Sequence, residues 1–308
     1  MDKLVSVIIP SFNQASELKN AILSITNQSY SCLEIVVVDD CSEQNIKQAV
    51  ESINDNRIHL YKTKKNSGVT EARKLGIVKS KGNYIAFLDQ DDTFKSKCIE
   101  NKINKFSEND NINIVISDYF VNNRIKNSSK INKMKNFTFN FKENICRSPG
   151  PFFQSCMIKR ELLEDVNFLF DKRATPSEDW DFFINLSNFK LIIGYVQSPD
   201  FIWNFSKYSQ SANYKKEALG LQYILKKHEN TFLKYIGQNG ISNHYRMVAR
   251  VYEKGKLLDE AKGIYRLAFK IYPKSIKNIF YMLISVLPNL LFILLVRFVR
   301  IIRGKPLG

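Results

Sequence analysis

Histidine is nearly missing from this sequence: three in 308 residues, widely separated. Cysteine is also sparse. The five, Cys32, Cys41, Cys98, Cys146 and Cys156, are scattered, odd in number and form no C-x-x-C. That leaves no readable zinc framework and no small disulfide-stapled scaffold. Reduced thiols and a cytosolic main body are expected. A leader is not legible either: "MDKLVSVIIPSFN" is strand-like and interrupted too soon by Pro10 to read as a signal peptide. Acid is what the last third lacks. Residues 201–308 hold 19 Lys and Arg against 5 Asp and Glu, a balance of +14, while residues 1–200 hold 27 against 25. The net charge of +16 therefore belongs to the C-terminal region. Basic stretches of this kind meet nucleic acid or anionic membrane. No RRM, KH or helix-turn-helix signature is visible, so nucleic acid is not the expected partner.

What is present is a core-forming chain, 44% apolar and 25% charged, long enough for one large domain or two modest ones. Residues 4–10, 33–40, 57–61, 84–89 and 112–118 are short, β-branched apolar runs suited to strands buried on both faces. Between them, 15–27, 69–80 and 95–106 have helical periodicity, with Leu18, Ala21, Ile22 and Ile25 on one face of the first. Alternation of this kind predicts an α/β fold with a mainly parallel sheet flanked by helices. Its ligand site is then expected beyond the carboxyl ends of the strands. Residues 121–145, polar and rich in Lys and Asn, read as a loop. A turn and a strand-like run follow over 148–162. Residues 176–189 look like a helix with Ser177 as N-cap and Phe182, Phe183 and Leu186 facing the core. From about 212 the pattern is helical.

"FLDQDD" (87–92) gathers Asp89, Asp91 and Asp92 within four positions at the end of an apolar run. One reading is a solvated turn in which Asp92 or Thr93 caps the next helix. Another is the D-x-D-x-T signature of haloacid-dehalogenase-like phosphatases, although that motif normally follows the first strand and here it follows the fourth. A third is a hard divalent cation, Mg²⁺ or Mn²⁺, which takes one or two carboxylates plus substrate phosphates and water and would offset the repulsion among the acids.

Four further motifs bear on this choice. "VSVIIPSFNQ", "EIVVVDDCS", "NSGVTEARKLG", "GNYIAFLDQDD" and "SEDWDFF" occur in that order. Together, over roughly residues 4–206, they resemble family 2 glycosyltransferases with the nucleotide-diphospho-sugar (GT-A, Rossmann-like) fold. The resemblance implies a nucleotide-sugar site from Pro10, Ser11, Phe12 and Asn13, with Phe12 in place of the commoner Tyr. It assigns base contact to Asp40, with Asp39 beside it, and a further donor-binding segment to Asn66, Gly68, Ala72, Arg73 and Gly76. Lys74 stands where Asn is usual. Asp89-x-Asp91 matches the family's D-x-D motif. By that match Asp91 would contact the metal, Asp89 the ribose or metal, and Asp92 would support them. Asp179 matches the catalytic base and Glu178 its partner. Where many relatives carry a Y-R-x-H-like segment, this chain has Asn204 and Ser206, with Lys207 beside them.

The expected organisation is a GT-A catalytic domain over 1–210 and a helical, basic region over 211–308. Within the latter, 279–302 is an apolar, membrane-associating segment broken by Pro288 and Asn289. It approaches the ~20 apolar residues that span a bilayer. Cations flank both ends (Lys274 and Lys277 before; Arg297, Arg300, Arg303 and Lys305 after), which favours an in-plane or re-entrant anchor over a clean span. The functional expectation is an inverting, metal-dependent transfer from a nucleotide-diphospho-sugar, a UDP-sugar foremost, to a glycan or lipid-linked hydroxyl. The setting is the cytoplasmic face of a membrane, in bacterial surface polysaccharide assembly. The alternatives are a catalytically silent nucleotide-sugar-binding scaffold and the phosphatase.

Overall fold

A computed structural model describes residues 3–123, 127–205 and 213–302. It divides into two compact units, Met1–Lys172 with Glu178–Ser209, and Arg173–Ser177 with Gln210–Gly308.

The first unit is built on a nine-stranded sheet: β1 (Val5–Ser11), β2 (Leu33–Asp39), β3 (Ile58–Lys62), β4 (Tyr84–Phe87), β5 (Thr93–Phe94), β6 (Ile114–Asn123), β7 (Ser128–Asn132), β8 (Cys156–Lys159) and β9 (Ile193–Phe205). The order is β3-β2-β1-β4-β8-β6-β9-β5, with β7 paired to the second half of β6, past the residues that pair with β8. β1, β2 and β4 are buried on both faces, as their near-continuous apolar runs require. β3, β2, β1 and β4 run parallel. β8 is inserted antiparallel between β4 and β6, which itself runs parallel to β9, so the whole sheet is mixed.

Helices α1 (Ala15–Thr26), α2 (Ile46–Glu51), α3 (Val69–Lys79) and α4 (Cys98–Ser107) connect these strands. α5 (Phe141–Arg147), α6 (Val166–Leu169) and α7 (Glu178–Leu186) complete the unit. The inner face of α1 is the one its periodicity gives: Leu18, Ala21, Ile22 and Ile25 are fully buried. α3 lies unusually close to β1, because a Cβ on Gly76 would stand 2.3 Å from Ile8 Cγ2. Only glycine permits that approach.

Two segments differ from expectation. Residues 121–145 are not a loop: β6 runs on to Asn123, β7 pairs with it, and α5 follows a short 3₁₀ turn at Lys135–Thr138. β7 reads as a loop because it is an edge strand exposed on both faces and polar but for Ile131, so no alternation marks it. The long β9 is equally unmarked. It carries Pro199 and register shifts against β6 around Asp118, and bulged strands lose period-two patterning.

The second unit is helical: α8 (Tyr214–Lys227), α9 (Glu229–Lys254, interrupted at Gly237), α10 (Leu258–Ile271), α11 (Ile276–Ile284) and α12 (Asn289–Ile302). The break expected at Pro288–Asn289 falls between α11 and α12. Among the described residues no helix is long and apolar enough to cross a membrane.

A buried ion pair ties α4 to β9. Lys102 Nζ lies 3.4 Å from Asp200 Oδ2, and Asn101 Nδ2 donates to Asp200 Oδ1 at 2.9 Å. Both members are almost wholly buried, so removing one strands the other charge away from water. Asp200→Ala is expected to lower unfolding free energy by about 3–5 kcal/mol, and the double change Lys102→Met with Asp200→Leu to recover most of it. Urea unfolding of the three proteins checks this, and equal loss in both variants would contradict it.

Candidate active site

The chain leaves β1 toward β2 on one side and β4 on the other, so a crevice is expected where the order reverses. Proline helps to form it. Ile8 O accepts from Leu88 N at 3.0 Å, the last ladder bond on the β4 side. Pro10, two residues on, faces the same side and has no N–H to continue the ladder. Phe12 follows at 40% exposure, an aromatic surface held in the open.

The acid turn is fastened across this gap by an amide. Gln90 Oε1 accepts from Ser11 Oγ and from Phe12 N, both at 2.9 Å, and Gln90 Nε2 donates to Phe12 O at 3.1 Å. Asn13 has a structural task in the fold. With φ at 52°, its Oδ1 accepts from Glu43 N and Gln44 N, which pins the loop after β2. Asp39 accepts from Ser42 N and pairs with Lys62.

Asp40 caps the start of α3. Its carboxylate accepts from Ser67 N, from Gly68 N at 2.6 Å and from Thr63 Oγ1 at 2.9 Å. Carboxylates are favoured at helix N-termini. Gly68 supports this turn with φ +92°, a conformation that side chains rarely adopt. Asn66 stands exposed beside it.

α3 then delivers Arg73, 3% exposed, into the centre of the unit. Its Nη2 donates to Asp89 Oδ1 at 2.6 Å and its Nη1 to Glu178 Oε1 at 2.7 Å. The guanidinium lies 4.6 Å from the Phe153 ring centroid, an orientation that cation–π attraction favours. One side chain thus joins three of the motifs. Arg73 Nε and Glu178 Oε2 remain buried with no hydrogen-bond partner among the described residues, which is costly unless a ligand or rearrangement satisfies them.

The three acids of the turn are not equivalent. Both oxygens of Asp89 are engaged, by Arg73 and by Gln154 Nε2 at 2.6 Å. Asp92 is 1% exposed, with Oδ2 accepting from the same Gln154 amide at 3.1 Å and Oδ1 from Asn204 N at 2.8 Å. Burial, reinforced by the charges of Asp91 and Asp89, pushes Asp92 well above the usual carboxylate range. Its place is the joint between the turn and β9. Asn204 completes that joint, donating Nδ2 to Asp91 O at 3.0 Å and accepting from Asn122 Nδ2 at 3.0 Å. Ser206 and Lys207 lie outside the described residues.

Glu178 and Asp179 open α7. Asp179 Oδ1 accepts from Trp180 N at 2.8 Å. Closely surrounded yet not sealed from solvent, Asp179 is pushed up to about 7 by desolvation first and by the Glu178 charge second, with Arg73 pulling the other way. A carboxyl poised near neutrality can take and hold a proton at working pH. Trp180, Asp181, Phe182 and Phe183 are buried behind it.

Among the described residues no three His, Cys, Asp or Glu side chains form a metal-holding group. The donor set fits a different kind of cation site, in which one or two carboxylates hold Mg²⁺ or Mn²⁺ and ligand oxygens and water fill the rest. Three functional side chains escaped the motif reading: Gln90, Gln154 and, in its bonding role, Asn204. Gln90 is the unspecified middle residue of D-x-D. Gln154 carries no sequence signal, since a buried glutamine looks like any turn residue.

Comparison with known proteins adds the family. The family model described as "Glycosyl transferase family 2" matches residues 6–166, just over half of the chain. An uncharacterized glycosyltransferase of Haemophilus influenzae is 29% identical over 255 residues, which cover 75% of this chain and 98% of that protein. The Escherichia coli protein named UDP-Glc:alpha-D-GlcNAc-diphosphoundecaprenol beta-1,3-glucosyltransferase WfgD is 30% identical over 172 residues, 55% of this chain and 65% of its own. Among solved structures, TarS residues 1–349 of S. aureus in complex with UDP-GlcNAc aligns over 99% of this chain and 93% of that one. Its TM-score is 0.62 at 14% identity, a likeness of fold. The phosphatase reading of the acid turn is thereby set aside, since it leaves the matched segment and the other four motifs without a role. With an acid turn, a buried arginine and a near-neutral carboxyl at the open end of this sheet, the chain belongs to glycosyl transferase family 2 and is a glycosyltransferase.

Proposed function

We propose that this glycosyltransferase moves a sugar, with inversion, from a UDP-sugar to a hydroxyl of a glycan or lipid-linked acceptor, with Mg²⁺ or Mn²⁺ as cofactor. The setting is the cytoplasmic face of a membrane, in surface polysaccharide assembly. The observation that carries the proposal is the array Asp89–Arg73–Glu178 with Asp179 beside it. The donor class is supported by the names of WfgD and of the TarS complex, and the lipid-linked acceptor by that of WfgD.

Pro10, Ser11, Phe12 and Asn13 with Asp39, Asp40, Asn66 and Gly68 would border the nucleotide. Phe12 offers a stacking surface, and Gly68 admits close backbone approach. Asp91, with Asp89, would hold the cation. When bound, it would supply Lewis-acid stabilisation of charge on the diphosphate. Asp92 supports the turn from behind. Arg73 holds Asp89 and Glu178 in fixed positions through two short charge-assisted bonds. Asp179 accepts the acceptor hydroxyl's proton as that oxygen forms a bond to the anomeric carbon. The bond from that carbon to the diphosphate oxygen breaks on the opposite face, and its electron pair leaves with the nucleotide. One displacement inverts the centre.

Three outcomes are expected. In thermal shift with UDP-, GDP- and dTDP-sugars, Mn²⁺-dependent stabilisation by one nucleotide class should vanish in Asp91→Ala. If no nucleotide stabilises folded protein, the donor reading fails. If binding persists with no transfer to any acceptor, a nucleotide-sugar-binding scaffold replaces the enzyme. Asp179 must be ionised to act as a base. Therefore kcat/KM should fall about tenfold per pH unit below roughly 7 and level off above it. Asp179→Asn should cost about 10²–10⁴-fold while leaving donor binding intact, and a flat pH profile would remove Asp179 from the base role. Proton NMR of the first-formed product should show inverted anomeric configuration, and retention would refute the single displacement.

A further inference from the structure

The second unit carries an apolar surface that its own fold does not cover. On α11 and the turn after it, Ile276, Ile279, Leu283 and Val286 are exposed, spaced three, four and three residues apart. On α12, Leu290, Leu291, Leu294 and Phe298 are exposed at the same helical period. Exposure reaches 83% at Ile276 and 71% at Val286 and Leu290. The other faces of the same helices are apolar too, and already engaged. Tyr281, Ile284, Phe292 and Val296 pack with Ala249 of α9 and Tyr265 of α10, and the Tyr265 and Tyr281 rings stack at 4.2 Å. An ordinary surface helix sets one apolar stripe against a polar face; this pair is apolar on both sides.

The hairpin is held so that the outer stripes stay outside. Arg266 of α10 donates Nε to Ser285 Oγ and Nη2 to Ser285 O, and Lys262 Nζ donates to Leu287 O at 2.7 Å. Two cations thereby close the carbonyls left open where α11 ends. The apolar helices are clamped to α10 by their turn.

Charge decides what fits the stripes. Residues 261–308 contain nine Lys and Arg and not one Asp or Glu. Lys270, Lys274, Lys277 and Arg297 are exposed. A second copy docking here through a two-fold contact would set this wholly cationic region against itself. An anionic lipid surface supplies apolar depth for the stripes and counter-charge for the lysines. We propose that α11 and α12 lie in the plane of an anionic bilayer, with Ile279, Leu283, Leu290, Leu294 and Phe298 inserted at the headgroup–acyl boundary. The proposal gives the membrane setting of the proposed reaction a physical surface, but does not depend on the donor chemistry.

The test uses the full chain with sedimenting vesicles, either of phosphatidylcholine alone or with phosphatidylglycerol at about 30%. Binding to the anionic vesicles is expected to exceed binding to the neutral ones by at least about tenfold and to weaken with salt. The triple variant L283E/L290E/L294E should lose at least about tenfold, and K274A/K277A should lose only the preference for anionic lipid. A single Leu290→Trp variant, whose fluorescence brominated lipid should quench, reports insertion without disrupting the fold. Nucleotide-sugar thermal shift on each variant shows that the first unit is intact and keeps this test separate from that of the donor reading. Failure of the unsubstituted protein to bind anionic vesicles would overturn the proposal. So would a concentration-dependent dimer by light scattering that the triple variant abolishes, with no vesicle binding: the stripes would then be an interface between copies.

Discussion

A single buried guanidinium organises the catalytic unit. Arg73 cannot lose its charge, and at 3% exposure it cannot keep water around it, so its fork must be met by acids at fixed places. Asp89 and Glu178 meet it at 2.6 and 2.7 Å. Those residues lie 16 and 105 positions away along the chain. The pairing therefore sets where α3, the turn after β4 and the start of α7 stand relative to one another. The rest of the packing conforms to it. Gly76 lets α3 press onto Ile8, Asp40 fixes the first turn of α3, and the Phe153 ring lies against the guanidinium face. Phe153 in turn packs with Phe87, Phe170, Phe182 and Phe183, so the aromatic core beneath the site also orients the arginine.

Much of this was legible in the sequence. Strands buried on both faces leave near-continuous apolar runs, and β1, β2 and β4 are legible from them. The motifs place their acids and Arg73 beyond strand ends or on α3, where the structure brings Asp89, Arg73 and Glu178 into contact. What sequence could not give is the set of neutral side chains that fix the acids. Gln90, Gln154 and Asn204 bridge residues 62 to 113 positions apart. An amide's partners depend on tertiary placement, and nothing local to "FFQSC" marks Gln154 as the donor to two carboxylates. β7 and β9 were illegible for a related reason: an edge strand and a bulged strand answer to neighbouring strands rather than to a hydrophobic period.

The acids also divide by environment in a way that the sequence treats as uniform. "DQDD" and "SEDWD" present equivalent carboxylates on paper. In the fold, Asp92 is sealed behind the turn and held well above its usual range, and Asp179 is raised to about 7 with a solvent path retained. Two carboxyls raised by the same desolvation thus serve different ends. Asp92, closed in by Gln154 and Asn204, joins the turn to β9. Asp179, at the head of α7, remains reachable by a hydroxyl.

Asn204 follows the same logic. An amide at this position satisfies Asp91 O and Asn122 while its backbone N–H reaches Asp92, but it brings no charge. Around the site stand five carboxyls, Asp89, Asp91, Asp92, Glu178 and Asp179, with Arg73 as the cation that pairs with two of them. Burial raises Asp92 well above the usual carboxylate range and Asp179 to about 7, so neither carries its charge cheaply. Acid groups thus outnumber the one guanidinium that faces them. A dianionic diphosphate entering that field alone would be repelled. Entering with a divalent cation it would not, which supports the proposed Mg²⁺ or Mn²⁺ on electrostatic grounds.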